Sequence, residues 1–469
     1  MRERGALALV LHTHMPYVEG YGTWPFGEEW LWEAMASAYL PLLDVLERDP
    51  PVTLSLTPVL GDQLEADGIG ERFLAFLRDV RAETHRLDSE GFRSAGEEAL
   101  AVEIERAAGD YERAGQRFEA IGGDLLGALA PHAAWTSAAT HAVLPLLVTD
   151  AAARVQVECG VASHRRRFGA WDGGFWLPEC AQAEWLDPIL EAAGARASCV
   201  DLTDVLGLGS HDQLRPLRTE SGPLLVPIDR TTLELVWSDR GYPSHGSYRD
   251  YHHHTFHHHR PWANDGRPYE HRAALALARE HAADFVARTV ARLDDAHTAT
   301  GRRGLVVCAL DTELLGHWWY EGQAWLQGVL DEAARQGLEL LHLDDALERV
   351  EPSPAPAGRP VTTWGTPRDL STWDGPAVAE MAFRAREAEL RVVAAGRAAP
   401  PDAVRELLAL QSSDWAFMVS RDLAAPYGAQ RSEGHSRAVD EALARLDSAP
   451  GAGPRHLAAD CSFAPLAAP

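Results

Sequence analysis

The pattern of apolar and polar positions is dominated by short, nearly continuous apolar runs separated by stretches of helical spacing. The runs fall at residues 6–11, 52–56, 174–177, 197–200, 224–228 and 305–310, with a weaker one at 338–343. Strands that lack a polar face and alternate with helices predict a parallel sheet covered on both sides. About seven of them predict an α/β fold, a barrel related to the (β/α) type, complete or incomplete. In such barrels the chemistry sits at the C-terminal ends of the strands. Polar and aromatic clusters directly follow four of the runs, at residues 12–14, 178–180, 229–230 and 311–319.

Residues 70–120 are charged and helix-like without a clear strand, which predicts a helical insertion. The Pro-rich stretch EPSPAPAGRP at 351–360 marks a boundary. Beyond it, residues 377–395, 402–410 and 439–446 have amphipathic helical spacing. The chain therefore divides into a barrel over 1–350, a helical C-terminal domain over 351–449 and a flexible tail over 450–469. No internal repeat is evident.

Charge narrows the partners. The 469-residue chain carries 69 acidic and 43 basic residues, a formal net charge of −26. That field repels phosphate backbones and anionic lipid, so nucleic acid and membrane surfaces are excluded as partners, whereas a neutral polymer is not. All 43 basic residues are Arg. Without Lys there is no P-loop, no Schiff-base chemistry and no kinase of the usual kind. The five cysteines match no zinc or redox spacing, and reduced cytoplasmic thiols are expected. The apolar start of the chain ends in His-Thr-His and reads as a first buried strand rather than a leader.

Two acids stand at strand ends. Glu179 lies in GGFWLPEC and Asp311 in VVCALDTELLGHWWYEG. Facing carboxylates in one pocket permit acid/base and nucleophilic work on a glycosidic bond, with retention at a separation of about 5–5.5 Å and inversion at a wider one. Either acid would serve equally as a helix cap or an ion-pair partner, and Glu313 and Glu321 compete with Asp311. His12 and His14 share one strand face, suited to sugar hydroxyls or, as His-x-His, to a metal. His141 and His317 are further pocket candidates. Of 15 tryptophans, Trp24, Trp176, Trp318, Trp319, Trp364 and Trp373 fall in loops or at strand ends, where flat aromatic faces suit sugar rings. The His-rich run YHHHTFHHHR at 251–260 reads as an adventitious metal binder, and Arg165–Arg167 as a solvated face first and a structural salt-bridge network second.

These motifs resemble glycoside hydrolase family 57, in particular its 1,4-α-glucan branching members. HTHMPYVE, SLTPVLGDQL, GGFWLPECA and LDTELLGHWWYEG resemble family signatures, and WPFGEEWL, TSAATHAVLPLL and QSSDW resemble branching-type segments. The resemblance covers about residues 5–446. It implies an incomplete (β/α)7 barrel, no cofactor, no metal and an α-1,4-glucan substrate. It makes Glu179 the nucleophile and Asp311 the acid/base of a retaining transfer that forms α-1,6 branches. It implies donor-side roles for His12, Trp24 and His141, acceptor-side roles for Trp364 and Trp373, and a place near the active site for Asp414. The segment VWSDRGYPSHGSYRDYHHH resembles the family's mobile loop over the cleft. There Tyr242 or Tyr248 would favour transfer over hydrolysis, with Trp262 following as a further substrate contact. Gln182 stands where members usually have Tyr. Rival readings are a hydrolytic α-amylase, a metal-dependent carbohydrate deacetylase or mannosidase using His12 and His14, and a glycan-binding protein without turnover.

Overall fold

The computed structural model describes residues 4–424, 426–445 and 453–467. Among the described residues ten strands are formed: β1 (Gly5–Thr13), β2 (Val52–Leu56), β3 (Ala133–Ser137), β4 (Phe175–Trp176), β5 (Ala197–Val200), β6 (Leu217–Arg218), β7 (Leu224–Pro227), β8 (Gly304–Asp311), β9 (Glu339–Leu340) and β10 (Ser353–Pro354). Strands β4, β3, β2, β1 and β8 pair in that order, all parallel. A Gly174–Ala197 bridge joins β4 to β5, which pairs in parallel with β7. The Asp229 N–H then donates to the Val307 carbonyl of β8 at 2.9 Å. Seven strands thus close a ring, the incomplete (β/α)7 barrel. Strands β6, β9 and β10 lie outside it.

The ring is lined as its apolar runs require: every residue of β1 and of β2 is buried. β4 approaches β3 closely, because Gly174 leaves room for the Trp135 indole where a Cβ would stand 2.1 Å from the ring. The helix Asp150–Phe168 follows β3. Thr149 caps it, Asp150 sits in its first turn and Arg165, Arg166 and Arg167 in its last, all favourable to the helix dipole.

The stretch after β2 forms helices Ile69–Ala75, Ala82–Ser94 and Glu98–Ala120. Helices Ala379–Ala395, Pro401–Leu410, Ser413–Ser420 and Tyr427–Ala444 build the C-terminal part. The apolar faces of Ala379–Ala395, Pro401–Leu410 and Tyr427–Ala444 share a core with Tyr17, Val59 and Cys159 of the barrel side. Among the described residues no helix is long and apolar enough to cross a membrane.

Three expectations are corrected. The described part of the tail is packed rather than flexible: Leu457, Ala458 and Leu466 are buried, and Asp62 and the Tyr17 hydroxyl accept the backbone N–H groups of Ala458 (2.7 Å) and His456 (3.0 Å). Arg167 is not on a solvated face. Its side chain is 2% exposed and pairs with Asp62 at 2.5 Å and Glu65 at 2.9 Å. Two of the five cysteines are bonded, Cys159 to Cys461, while Cys180, Cys199 and Cys308 are free and buried. That bridge closes a loop of 302 residues. Loop-closure entropy at that length caps its contribution at about 6 kcal/mol. C461S is therefore expected to lower Tm by several degrees, to the same value as wild type in reductant. Alkylation of unreduced, denatured protein should label only the other three thiols.

Candidate active site

The C-terminal ends of β1, β3, β4 and β8 converge with the loop 361–364 and the start of the helix Ser413–Ser420. β1 and β8 run in register, His12 opposite Asp311. Beyond that pair the Thr13 and Thr312 hydroxyls bond at 2.7 Å, and the His14 N–H donates to Glu313 at 3.1 Å. Local backbone strain marks the other two strand ends. His141, after β3, has φ of 60° and Glu179, after β4, has φ of 59°. Left-handed conformations of such residues cost roughly 1–2 kcal/mol each, and their clustering at one place is typical of functional sites. At Glu179 the turn is held from outside, because its carbonyl accepts the Thr363 hydroxyl at 2.8 Å and the Trp364 N–H at 3.0 Å.

The two candidate carboxylates meet different environments. Each Glu179 oxygen receives one donor: Oε1 the Ser413 hydroxyl at 2.9 Å and Oε2 the Trp364 indole N–H at 3.0 Å. Burial raises its pKa, while these two hydrogen bonds and the His14 charge pull the other way, leaving a net upward shift. Asp311, half-buried at the end of β8, stands beside the like charges of Glu313, Glu179 and Asp414. Burial and then those charges push its pKa well above the usual carboxylate range. Neighbouring acids whose environments separate their proton affinities divide into an ionised group and a proton donor.

His14 stands beside Asp414, Glu313 and Glu179. Its Nε2 lies 3.1 Å from both Asp414 oxygens and its Nδ1 3.2 Å from the Thr57 hydroxyl. Burial works against its charge, but Asp414, Glu313 and Glu179 raise its pKa overall. Burial likewise works against the Asp414 charge, and His14 nonetheless holds that carboxyl at about 2. Glu313 accepts the Tyr39 hydroxyl at 2.6 Å, and burial lifts its pKa to about 7. Glu321 is not a rival for Asp311: it is buried elsewhere, taking the Tyr269 hydroxyl at 2.5 Å and the Arg249 N–H at 3.1 Å.

The other candidates separate into lining, backing and remote groups. Trp364 lines the site, and an aromatic row runs outward from it. Its ring lies 5.9 Å from Trp237, which lies 6.1 Å from Trp318. Trp237 and Trp318 are 37% and 39% exposed, enough to offer a face to a ligand. Trp176 and His12 are backing groups, fully buried and stacked 4.5 Å apart. Both His12 ring nitrogens are occupied by Ser55 and His141, which leaves none for sugar or metal. Trp319 is core.

Tyr248 is buried and bonds His281 at 2.8 Å, and the Tyr242 hydroxyl donates to Asp284 at 2.7 Å. Both are therefore tied to the helix His271–Thr300 and do not stand over the cleft. Trp373 is 3% exposed under Gly365, so it offers no ring to an acceptor. Trp262 stacks on His253 at 3.8 Å and meets Phe92 of the insertion. Trp24 is exposed beside His258. His317 bonds Ser37 at 3.3 Å and faces a separate 310 Å³ cavity under the insertion. Gln182 is buried, donating to Asp187 at 3.0 Å. The His-rich run anchors its loop to the insertion through His257–Asp88 (2.7 Å) and His259–Thr84 (3.0 Å). Among the described residues no group of three or more His, Cys, Asp or Glu is arranged to hold a metal.

Sequence reading passed over Ser413 and Trp237, although both stand in segments it singled out, QSSDW and VWSDRGY.

Comparison with known proteins agrees with this arrangement. The profile of glycosyl hydrolase family 57 matches residues 134–356, and that of the C-terminal region of 1,4-alpha-glucan branching enzymes matches residues 377–453. A 1,4-alpha-glucan branching enzyme of Thermococcus kodakarensis is 32% identical over 92% of this chain and 72% of its own. A "Probable 1,4-alpha-glucan branching enzyme" of Mycobacterium tuberculosis is 33% identical over 94% and 92%. The crystal structure of a branching enzyme of this family from Pyrococcus horikoshii superposes with a TM-score of 0.89 at 29% identity, covering 99% of this chain and 97% of that one. With the first profile spanning both strand-end acids and relatives above 30% identity matched over most of their length, the chain belongs to glycosyl hydrolase family 57.

Proposed function

We propose that the protein is a 1,4-α-glucan branching enzyme, a retaining transglycosidase that cuts an α-1,4 link and rejoins the freed chain through an α-1,6 link. The observation that carries the division of labour is the contrast between the two acids. Glu179, held by two donors beside His14, suits a nucleophile that must be ionised. Asp311, desolvated among like charges, suits an acid that must arrive protonated. In the first step Glu179 attacks the anomeric carbon while Asp311 protonates the departing oxygen. In the second, Asp311 takes the proton of a glucan 6-hydroxyl as that oxygen displaces Glu179.

His14, Glu313 and Asp414 complete the pocket around the reacting sugar. The row Trp364–Trp237–Trp318 provides stacking faces for further glucose units. The C-terminal helical part supplies Ser413 and Asp414, so the cleft is complete only with it. Cytoplasmic residence belongs to the same proposal. The three free thiols agree with it and the Cys159–Cys461 bridge argues the other way.

Incubation with amylose, followed by debranching and chain-length analysis, tests the activity. New short side chains are expected; reducing sugar alone, without branches, would replace branching by hydrolysis.

The pH profile tests the acid. Asp311 is active while protonated, so kcat/KM falls as pH rises through its folded-state pKa. After burial, Glu313 is the largest cause of that raised value. Glu313 itself titrates at about 7, so its charge acts on Asp311 above that pH. E313Q keeps an oxygen for Tyr39 and His14 but removes the charge. The basic limb of its profile is expected to move to lower pH, and an unmoved limb would separate Glu313 from Asp311.

A further inference from the structure

We infer that Ser55, His12, His141 and Ser413 form a one-directional hydrogen-bond chain that fixes the carboxylate of Glu179, and that His12 and His141 are positioning residues rather than sugar ligands. The inference rests on the reading of Glu179 as nucleophile.

The links are continuous. Ser413 Oγ donates to Glu179 Oε1 at 2.9 Å, and His141 Nδ1 lies 2.8 Å from Ser413 Oγ. His141 Nε2 lies 2.9 Å from His12 Nε2, and His12 Nδ1 lies 3.2 Å from Ser55 Oγ. Proton counting then leaves one solution. A serine hydroxyl has a single proton, and an ionised carboxylate can only accept. Ser413 therefore gives its proton to Glu179 and must accept from His141, which fixes the proton of His141 on Nδ1. A neutral His141 has a bare Nε2, which accepts from His12 Nε2–H. The bare Nδ1 of His12 then accepts from Ser55.

A proton added to His141 would set two N–H groups facing each other across its link to His12, and one added to His12 would reverse the link to Ser55. The surroundings resist this. His12 and His141 are 1% and 4% exposed, and burial, followed by the neighbouring histidines, lowers both pKa values far below the usual one. His12 is clamped on Trp176 at 4.5 Å, and His141 on His14 at 4.1 Å. The Ser413 N–H also bonds the His141 carbonyl at 3.1 Å, so both ends of that link are tied to one backbone contact. The titratable groups around Glu179 are His14 just after β1, Asp311 at the end of β8 and Asp414 beside Ser413; His141 stands 3.8 Å from it.

The test measures the rate at which an α-maltooligosyl fluoride forms the glycosyl-enzyme, which isolates the attack by Glu179. S413A is expected to slow that step about 10- to 100-fold, the value of one charge-assisted hydrogen bond, with KM little changed. Glu179 loses a donor, so the acidic limb of the profile moves to higher pH. Paired histidine variants separate the chain from mere packing. The Asn amide of H141N reproduces the Nδ1–H and is expected to keep most of the rate, whereas the Gln of H141Q reaches only the Nε2 position and is not. For His12 the order reverses: H12Q keeps the donor toward His141 and H12N loses it. Wild-type rate and an unmoved acidic limb in S413A, or equal rates within each histidine pair, would overturn the chain. Full activity in E179Q would instead overturn the nucleophile assignment on which it rests.

Discussion

E179Q is expected to lose both branching and hydrolysis on amylose, with activity down on the order of 10^4-fold or more, the scale seen when a covalent nucleophile is removed. The amide is close in size and keeps an oxygen that can take one of the two donors now aimed at the carboxylate, from Ser413 and Trp364. Folding should therefore survive, and Tm should stay near wild type. What is lost is the negative charge needed to form a bond to the anomeric carbon, so glucan binding should persist with catalysis gone. The variant can then trap the substrate complex. Retention of more than a hundredth of the wild-type rate would remove Glu179 from the covalent role and leave it as a binding group.

The sequence carried much of the barrel, for a specific reason. Strands buried on both faces leave apolar runs that need no long-range information to recognise, as in β1 and β8. The expected seven strands were reached partly by compensation. The run at 338–343 yields only the two-residue β9, outside the ring, while β3 was missed because AAWTS is short and half polar. β3 can be polar because its hydroxyls have partners: Thr136 donates to the Gly160 carbonyl at 3.0 Å and Ser137 to the Trp176 carbonyl at 2.9 Å. The packed tail was equally invisible locally. Its Pro/Ala/Gly composition reads as loose chain, and partners hundreds of residues away hold it, Asp62, Tyr17, Cys159 and Arg166 among them.

The candidate site divides in the same way. Glu179 and Asp311 were legible because strand ends and flanking motifs marked them. The direction of an aromatic ring was not. Tyr242, Tyr248 and Trp373 are turned away from the cleft by contacts with Asp284, His281 and Gly365, none of which is a neighbour in sequence. Ser413 shows the converse. A serine has no sequence signature of its own, and its value comes from lying between His141 and Glu179 across 272 and 234 residues of chain.

D311A should fail differently from E179Q, and the difference separates the two roles. On amylose its rate is expected to fall about 10^2- to 10^4-fold, the contribution of a positioned general acid and base. With an α-maltooligosyl fluoride the leaving group needs little protonation, so Glu179 can still attack and the first step should be only modestly slowed. The second step has lost its base. The glycosyl-enzyme should therefore accumulate, visible by mass spectrometry of the intact protein as an adduct on the peptide that contains Glu179. Azide, a nucleophile that needs no base, can enter the space the carboxyl vacates. It should restore turnover and release an α-glycosyl azide, the same configuration as the donor. A β-azide would mean that the first step never formed a covalent intermediate, and absence of both adduct and rescue would assign the acid/base role to another group, with Glu313 the nearest at hand. The environment of Asp311 argues for the first outcome. After burial, three neighbouring carboxyls hold its proton in place, and removing the side chain removes a proton source that those neighbours cannot replace: Glu313 is bound by Tyr39 and His14, Asp414 is held ionised by His14, and Glu179 is committed to the sugar.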